Sequence, residues 1–310
     1  MVQAKQKMDI GVLKHLKILC ISEIGWFDDA ALLGDIKAAG GMGVSQYTLP
    51  WPPFGKLHPE NAAGSSALVE AEETDGTVHQ LLFDTGWSPA WMDQRFAEEG
   101  IDRRLQRGEI DCLVISHEHF DHFWGIGSTL KHCPGITIYV PEGFHQEGLD
   151  FIKQSGHTGK VITVHPDEPL VLFPGFAVVN FRMETLLQVK GENVLYVNLQ
   201  DKGITMMTGC GHGGVLNLLD YAQRTFQGGD KIYAVYGGLH ISPFEEWDAE
   251  RDKIVQSLTQ YHIEHIGCNH CTGIKAVEHM RDAGLPIIRG TARHRSKTDL
   301  FLGNGDVLEL

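Results

Sequence analysis

The chain has no long apolar run, few cysteines and few positive charges. No stretch of about 18 consecutive apolar residues occurs, which argues against a membrane-spanning helix. The six cysteines in 310 residues are too few for a disulfide framework, and we expect them to be reduced thiols. The 26 Lys and Arg residues are outnumbered by 40 Asp and Glu, and the net charge of -14 argues against an extended nucleic-acid surface.

The beginning of the chain also lacks the features of a secretion signal. Residues 1–17 contain lysines, but neither a continuous apolar segment nor a small-residue cleavage site. We therefore expect a cytoplasmic protein. A chain of 310 residues with 42% hydrophobic residues can bury a large core. We predict one domain spanning residues 1–310 that acts on a small-molecule substrate, with no nucleic acid and no membrane as partner; assembly into a homo-oligomer is left open.

The hydrophobic pattern predicts a strand-rich first two thirds followed by strand–helix units. Short apolar runs bounded by turn residues, such as 16–22, 66–72 and 80–83, predict strands. The segments 91–100 and 215–227 are predicted helices. Further predicted strands are 110–115, 136–140, 161–164, 176–181, 194–198, 203–208, 232–236 and 263–268, and further predicted helices are 244–262 and 274–283. Two sheets covered by helices would satisfy this order, so the predicted fold class is α/β (α+β).

The segment 116–122 (SHEHFDH) concentrates three histidines and two carboxylates in its last six positions. Crowded imidazoles and carboxylates are costly to bury unless a cation satisfies them. The segment follows a predicted buried strand, and α/β proteins commonly place their sites where a strand ends. Since residues two apart on a strand point the same way, His117 and His119 can bind one metal. Past the turn, Asp121 and His122 can bind a second metal; the alternative is a solvated, histidine-rich loop.

A glycine-rich segment after the strand 203–208 supplies a further candidate ligand. Gly209, Gly211 and Gly214 match the dinucleotide-binding fingerprint in a strand–turn–helix setting. The next strand, however, ends in Tyr-Gly-Gly-Leu-His, with no carboxylate to hold a ribose. We therefore predict that His212 is a metal ligand, held in a turn where glycines allow close backbone approach.

The third segment, 267–273 (GCNHCTG), again lies between a predicted strand and a predicted helix. Cys268 and Cys271 form a C-x-x-C pair, which would suit a redox motif or a zinc ribbon. A ribbon needs a second cysteine pair, which the other four cysteines do not provide, and the pattern around a thioredoxin-like motif is missing. His270 is therefore predicted to be the last ligand.

Other residues are predicted to support the ligands. Asp84 ends the second strand of a predicted hairpin and is expected to orient a ligand histidine. An arginine cluster would bind a substrate phosphate, the alternative being a solvated basic loop; it consists of Arg289, Arg293 and Arg295. Aromatic rings would stack on a flat substrate, the alternative being that each fills the core. The rings are those of Trp26, Phe27, Trp51, Trp87 and Trp124.

Together these motifs resemble the metallo-β-lactamase superfamily. The resemblance rests on FDTG at 83–86, SHxHxDH at 116–122 and GCxH at 209–212. It implies an αββα sandwich with metals at one edge of the two sheets. GCGHGG at 209–214, YGGLH at 236–240 and HCTG at 270–273 resemble the subgroup named for 7,8-dihydropterin-6-yl-methyl-4-(β-D-ribofuranosyl)aminobenzene 5′-phosphate synthase.

The resemblance implies ligand sets for two metals. The first set is His117, His119 and His212, and the second is Asp121, His122 and His270. Superfamily members usually carry a bridging aspartate at the end of the strand between the last two histidine ligands, but this strand ends in Gly237-Gly238. One or two ions per chain are therefore expected. His240, two residues further on, is expected to face the site as a general acid/base or a substrate contact.

The ligand types predict a divalent metal, with zinc as the first expectation and iron or manganese as alternatives. Such a metal lowers the pKa of bound water to about 7 and polarises carbonyl or phosphoryl oxygens. We therefore predict a metal-dependent hydrolase of a small anionic ester, lactone or phosphoester, with Asp121 or His240 as proton acceptor. The synthase subgroup implies an alternative transferase reaction, in which an aromatic amine displaces pyrophosphate from a pterin. An iron-dependent oxidoreductase and a non-catalytic metal-site sensor are further alternatives.

Overall fold

The chain alternates short strands with helices and turns along its length. The computed structural model describes residues 6–49, 59–166 and 168–310. Its strands are β1 (Leu13–Ser22), β2 (Ser66–Glu73), β3 (Val78–Phe83), β4 (Cys112–Val114), β5 (Thr137–Pro141), β6 (Val161–Val164), β7 (Leu170–Phe173), β8 (Phe176–Glu184), β9 (Lys190–Leu199), β10 (Gly203–Thr208), β11 (Ile232–Gly238), β12 (His265–Asn269) and β13 (Val307–Glu309). Its α-helices are α1 (Asp29–Ala38), α2 (Pro89–Glu99), α3 (Ile101–Gln106), α4 (Phe120–Phe123), α5 (Ile126–Leu130), α6 (Gln146–Gln154), α7 (Val215–Thr225), α8 (Ala249–Leu258) and α9 (Ile274–Asp282).

The strands follow one hydrogen-bonded path in the order β12-β11-β10-β9-β1-β2-β3-β4-β5-β6, with β13 beside β1 and β7–β8 attached to β9. The two halves of the path meet at the start of β1, where Leu13 pairs with Leu199 of β9. Strands β3 to β6 are parallel to one another, and so are β10 to β12. The carboxyl ends of each parallel set therefore lie together, which is where such sheets bind ligands.

Alternation along the strands divides the core into three clusters. In β2, Ala67 and Val69 belong to a cluster shared by both halves of the strand path, whereas Leu68 packs with the helices of the first half. In β9, Leu195 lies in the shared cluster and Tyr196 packs with the helices of the second half. Because successive strand residues point to opposite faces, the layers run helix, sheet, sheet, helix. The predicted α/β fold class with an αββα sandwich is confirmed.

Some predicted elements differ from the structure. The predicted helix over 244–262 is shorter, because the Asp248 side chain accepts hydrogen bonds from the backbone amides of Glu250 and Arg251 and starts α8 at Ala249. Helices α1 and α6 and strand β7 were not predicted; a glycine and several charged residues interrupt the apolar spacing of both helices. No helix in the described part of the chain is long and apolar enough to cross a membrane. All six cysteines are free thiols.

Candidate metal centre

The predicted ligands converge at the carboxyl ends of strands from both sheets. The segment 116–122 follows β4, His212 lies in the turn after β10, and His270 comes directly after β12. The four predicted ligands within 116–122 are all buried. The structure therefore brings together histidines that are more than 90 positions apart in the sequence.

The ligand atoms form two neighbouring groups. The first is His117, His119 and His212, and the second is Asp121, His122 and His270. Within each group the atoms all lie within 4.8 Å of one another. His117 Nε2 lies 2.9 Å from His119 Nδ1, and His122 Nε2 lies 3.1 Å from His270 Nε2. These are the two sets that the family resemblance implies; metal binding by them stays a prediction.

Backbone carbonyls fix the orientation of two ligand rings. His119 Nε2 donates to the Leu186 oxygen at 3.0 Å, and His270 Nδ1 donates to the Glu23 oxygen at 2.8 Å. Because a carbonyl oxygen only accepts, the opposite nitrogen of each neutral ring presents a lone pair to the cluster. Converging lone pairs in a buried place are stabilised by a cation among them, so the donor set fits a metal.

Asp84 orients a third ligand ring. Its Oδ2 accepts hydrogen bonds from His122 Nδ1 at 2.6 Å and from Ser116 Oγ at 2.7 Å, while its Oδ1 accepts from the Ser116 backbone amide at 2.6 Å. Asp84 has a φ of 63°, a left-handed conformation that Asp and Asn adopt more readily than most residues. The contact is the one expected of a residue that orients a metal-binding histidine.

Burial sets the protonation state of the cluster. It lowers the pKa of His119 and of His270 to about 4, and it lowers the pKa values of His117, His122 and His212 well below 6.5. All five rings are therefore neutral near pH 7, which is the form that binds metals. Burial also raises the pKa of Asp121 to about 7. A cation beside this carboxyl would favour its ionised form.

A buried glutamate holds the turn that carries His212. The Glu192 carboxylate accepts hydrogen bonds from the backbone amides of Cys210, Gly211 and His212 at 3.0, 2.7 and 2.7 Å. The Nε2 atom of His212 is buried and has no hydrogen-bond partner. A bound metal would coordinate this nitrogen and so satisfy it. Glu192 was not predicted, because a single glutamate inside β9 gives no sequence signal of this role.

The strand end that lacks the expected carboxylate has no room for any side chain. Gly237 has a φ of 105°, and a Cβ atom there would lie 1.9 Å from the Thr208 oxygen. A Cβ atom on Gly238 would lie 2.4 Å from the Gly209 oxygen and 2.6 Å from the Cys271 sulfur. The missing bridging aspartate is thus a consequence of backbone packing between β10 and β11.

Two cysteines that sequence reasoning did not include among the ligands lie in the cluster. Cys210 Sγ lies 3.3 Å from His122 Nε2, and Cys271 Sγ lies 3.4 Å from the Cys210 carbonyl oxygen. Burial raises the pKa of the Cys210 thiol. Cys268 is instead fully buried in the core beside the C-terminal helices, so the C-x-x-C pair does not act as a unit. The signal that could have found Cys271 is its direct adjacency to His270.

His240 lies at the edge of the cluster in a left-handed backbone conformation, with a φ of 46°. Its ring centroid is 4.3 Å from that of His212, and burial lowers its pKa. It belongs to none of the ligand groups found among the described residues. His240 is therefore not grouped with the predicted ligands, but it lines the same cleft as they do.

The predicted stacking role of two tryptophans is wrong. Trp87 and Trp124 are 3% and 1% exposed and belong to the core beside the helices of the first half. The Trp87 ring packs against Phe120 at 4.6 Å, and this burial leaves no open ring face for a substrate. Trp51 lies outside the described residues. Trp26, in contrast, lines the space next to the ligands.

The three predicted arginines have local partners away from the cluster. Arg289, Arg293 and Arg295 interact with the Asp299 carboxylate, the Asp306 carboxylate and the Phe27 ring, respectively. None of them is among the described residues that line the two cavities at the ligands. The basic residue that does so is Lys297. The geometry therefore argues against the predicted phosphate-binding role of the arginines.

Two adjoining cavities open beside the ligands. The ligand cleft, of about 40 Å³, is bordered by His119, Asp121, Cys210, His212, His240 and His270. The outer cavity, of about 270 Å³, is bordered by Glu23, Trp26, Asp29, Glu245, His270 and Lys297. Trp26, Cys271 and His270 line both, so a molecule in the outer cavity would lie next to the second ligand group.

The fold and the candidate ligand groups are typical of a superfamily whose members commonly bind divalent metals. The model of the metallo-beta-lactamase superfamily matches residues 61–197. Over this part the chain is similar to the members of that superfamily.

Individual proteins are similar to this chain in sequence or in fold. The chain is 25% identical to the 7,8-dihydropterin-6-methyl-4-(beta-D-ribofuranosyl)-aminobenzene-5'-phosphate synthase of Methanocaldococcus jannaschii over 265 residues, covering 72% of this chain and 84% of the relative. The crystal structure of Tm1679, a metal-dependent hydrolase of the beta-lactamase superfamily, matches with a TM-score of 0.60 at 20% identity, covering 95% of this chain and 99% of the other. Zinc-bound PqqB from Methylobacterium extorquens matches with a TM-score of 0.51 at 13% identity over 95% of this chain and 100% of the other. The two structures show the fold alone.

Proposed function

We propose that the protein is a metal-dependent enzyme that hydrolyses a small ester, lactone or phosphoester in the ligand cleft. The observation that carries the proposal is the convergence of neutral imidazole nitrogens, including the unpartnered Nε2 of His212, at the carboxyl ends of both sheets. A bound divalent metal would supply Lewis acidity and lower the pKa of a water. Nitrogen and carboxylate ligands favour zinc, with iron and manganese as the alternatives to test.

Two residues of the chain can handle the proton. His240 is neutral near pH 7 because burial lowers its pKa, and it borders the cleft beside His212. A neutral imidazole can accept a proton from an attacking water and return it to the leaving group. Asp121 can take the same role when it is not fully committed as a ligand. We assign the catalytic role first to His240, because it lies outside the ligand groups found in the described residues.

The walls of the outer cavity favour particular parts of a substrate. Its carboxylates are those of Glu23, Asp29 and Glu245, against the single cation of Lys297. Lys297 Nζ is moreover paired with Asp29 at 2.9 Å. An anionic group therefore belongs in the ligand cleft, next to the metal, and a neutral ring belongs in the outer cavity, where Trp26 offers a stacking surface.

A second candidate function is the transferase reaction that the resemblance to the synthase subgroup implies, in which an aromatic amine would displace pyrophosphate from a pterin. The observation that favours it is Glu23, which is 5% exposed and has an Oε1 atom without a hydrogen-bond partner in the outer cavity wall. That oxygen could accept a hydrogen bond from an N–H group of a heterocycle. The sequence similarity to the synthase supports the same candidate.

One experiment separates the candidates. Metal-free protein is reloaded with Zn²⁺, Mn²⁺ or, without oxygen, Fe²⁺. Each form is then assayed with chromogenic esters, a lactone, a phosphodiester, and a pterin pyrophosphate together with an aromatic amine. Hydrolysis restored by metal in the wild type, but not in His212→Ala, supports the hydrolase. Pyrophosphate release that needs the aromatic amine supports the transferase. Oxygen consumption by the iron form would favour an oxidoreductase, and tight binding without any turnover would favour a sensor; either result would overturn the proposal.

We also propose that residues 1–310 act as one domain. The support is that β1 pairs with strands of both halves and that the ligands come from both halves.

A further inference from the structure

The sulfur of Cys210 lies between the two ligand groups. It lies within 4.8 Å of ligand nitrogens of His117, from the first group, and of His122, from the second. It also forms a group of the same size with His270 and Cys271. Cys210 is 4% exposed, so its sulfur is as buried as the predicted ligands around it. No other side chain outside the six predicted ligands is shared by both groups in the described part of the chain.

The spacing around this sulfur suits a zinc ligand. In a tetrahedral site with Zn–N near 2.0 Å and Zn–S near 2.3 Å, ligand nitrogen and sulfur lie roughly 3.5 Å apart. Cys210 Sγ lies 3.3 Å from His122 Nε2, and His122 Nε2 lies 3.1 Å from His270 Nε2. Asp121 Oδ2 lies 3.5 Å from His270 Nε2. These three separations are thus close to those between neighbouring ligands of one zinc ion, whereas Asp121 and Cys210 share no group of atoms that all lie within 4.8 Å of one another in the described part of the chain.

The glycine pair at the end of β11 explains why a thiolate can take this place. A Cβ atom on Gly238 would lie 2.6 Å from the Cys271 sulfur and 3.1 Å from the Cys210 Cα atom. The space that a side chain of residue 238 would need is therefore filled by Cys271 and by the turn carrying Cys210. The same packing arrangement therefore accounts for the absence of a carboxylate at this strand end and for the presence of the two cysteines beside it.

The two cysteines have different roles. Cys271 directs its thiol at the Cys210 carbonyl oxygen at 3.4 Å, so its hydrogen is engaged with the backbone. Glu192 holds the Cys210 amide from the other side at 3.0 Å. The Cys210 backbone is thus fixed at two points while its sulfur faces the histidines.

We propose that the Cys210 thiolate is a metal ligand that occupies the place between the two ligand groups where a bridging carboxylate was expected, with Cys271 as a positioning residue. The inference rests on the proposed metal centre and deepens it: the second ion is bound by sulfur as well as by nitrogen and oxygen. Such a site favours zinc over manganese, because thiolates are soft ligands.

The test uses full-length protein purified under reducing conditions and loaded with Zn²⁺ or Co²⁺. Extended X-ray absorption fine structure measured at the zinc edge of the wild type should show a sulfur neighbour at about 2.3 Å beside nitrogen or oxygen at about 2.0–2.1 Å. The cobalt form should show near-ultraviolet thiolate-to-cobalt charge-transfer absorption. Cys210→Ala should lose both signals and about one bound ion per chain, whereas Cys271→Ser should keep both.

Circular dichroism and retention of the first ion distinguish a lost ligand from a misfolded variant, and Cys210→Ser is the isosteric variant for that comparison. Nitrogen and oxygen scattering alone in the wild type, or an unchanged sulfur signal in folded Cys210→Ala, would overturn the inference. Metal-dependent hydrolysis with only nitrogen and oxygen ligands would overturn it while leaving the proposed function intact.

Discussion

The Nδ1 atom of His122 and the Oδ2 atom of Asp84 lie 2.6 Å apart in the buried centre of the molecule. This contact places the ring proton of His122 on the side away from the cluster. The Nε2 lone pair then faces His270 and Cys210, at 3.1 and 3.3 Å. The carboxylate thus determines which nitrogen of His122 can bind a metal.

We expect Asp84→Asn to lower metal affinity by about 10- to 100-fold, because the amide lacks the charge that supports the imidazole. Asparagine tolerates the left-handed backbone of this position, so the fold should be kept. Chelator competition measures the affinity. Asp201→Asn is the matched control, since Asp201 is exposed and has a φ of 60°. Equal affinities of both variants and the wild type would contradict the orienting role.

We expect His119→Ala and His212→Ala to lose metal, because each removes one of three nitrogens from the first ligand group. Metal analysis after dialysis against a weak chelator gives the content per chain. His165→Ala is the control, because its side chain is 67% exposed and pairs with Glu142. Full metal content in both ligand variants would refute the assignment.

We expect His240→Ala to lower turnover by about 10²- to 10⁴-fold, the usual contribution of a general acid or base, while metal content stays near that of the wild type. The two measurements are made on the same preparation with the substrate that the proposed screen identifies. Parallel loss of metal would make His240 a ligand instead. Unchanged kinetics would return it to a purely structural role.

His145 should make stability pH-dependent. Its Nδ1 lies 2.6 Å from Glu118 Oε2, and this hydrogen bond raises its pKa above 6.5. A raised folded-state pKa stabilises the protein fully below about pH 6.5, and this stabilisation is lost as the pH rises through the folded-state value. Urea unfolding at several pH values should therefore show a difference between wild type and His145→Gln that shrinks as the pH rises. A difference that grows with pH would contradict the sign.

Gly238→Ala should destabilise the protein by about 1–3 kcal/mol or more, because its methyl group would overlap the Gly209 oxygen and the Cys271 sulfur. The control is Gly34→Ala in α1, where a Cβ atom meets nothing within 4 Å. That change should stabilise by about 0.5–1 kcal/mol, since alanine favours a helix interior over glycine. Urea unfolding measures both, and equal effects would show that the packing at β11 is looser than described.

The sequence predicted the histidine groups because imidazoles and carboxylates at strand ends carry their own signal. Their motifs and a family resemblance were enough to select four histidines as candidate ligands, namely His117, His119, His212 and His270. Trp87 and Trp124 were wrongly assigned, because the burial of an aromatic ring depends on packing between distant segments. A cytoplasmic location and the oligomeric state stay predictions from the sequence.

Glu192 and Cys210 show a different limit of prediction from the sequence. Glu192 acts through three backbone amides of a turn that lies about 20 residues further along the chain, and no residue pattern near it records that contact. Cys210 could be suspected from its position two residues before His212, but its distance to His122 depends on how the two sheets meet. The Gly237-Gly238 sequence indicated that the expected carboxylate is absent. Only the packing showed that Cys271 and the turn carrying Cys210 fill the space that a side chain of residue 238 would need.

The ligands come from both sheets, whereas β1 and β9 are paired at only one residue pair, Leu13 with Leu199. A bound ion would therefore act as a cross-link between the two halves of the sandwich, closing a chain loop from His122 to His270. Closing a loop of that length restricts the unfolded chain. The same ions that serve chemistry would then slow the separation of the two sheets, so that resistance to unfolding and catalytic competence would be lost together on chelation.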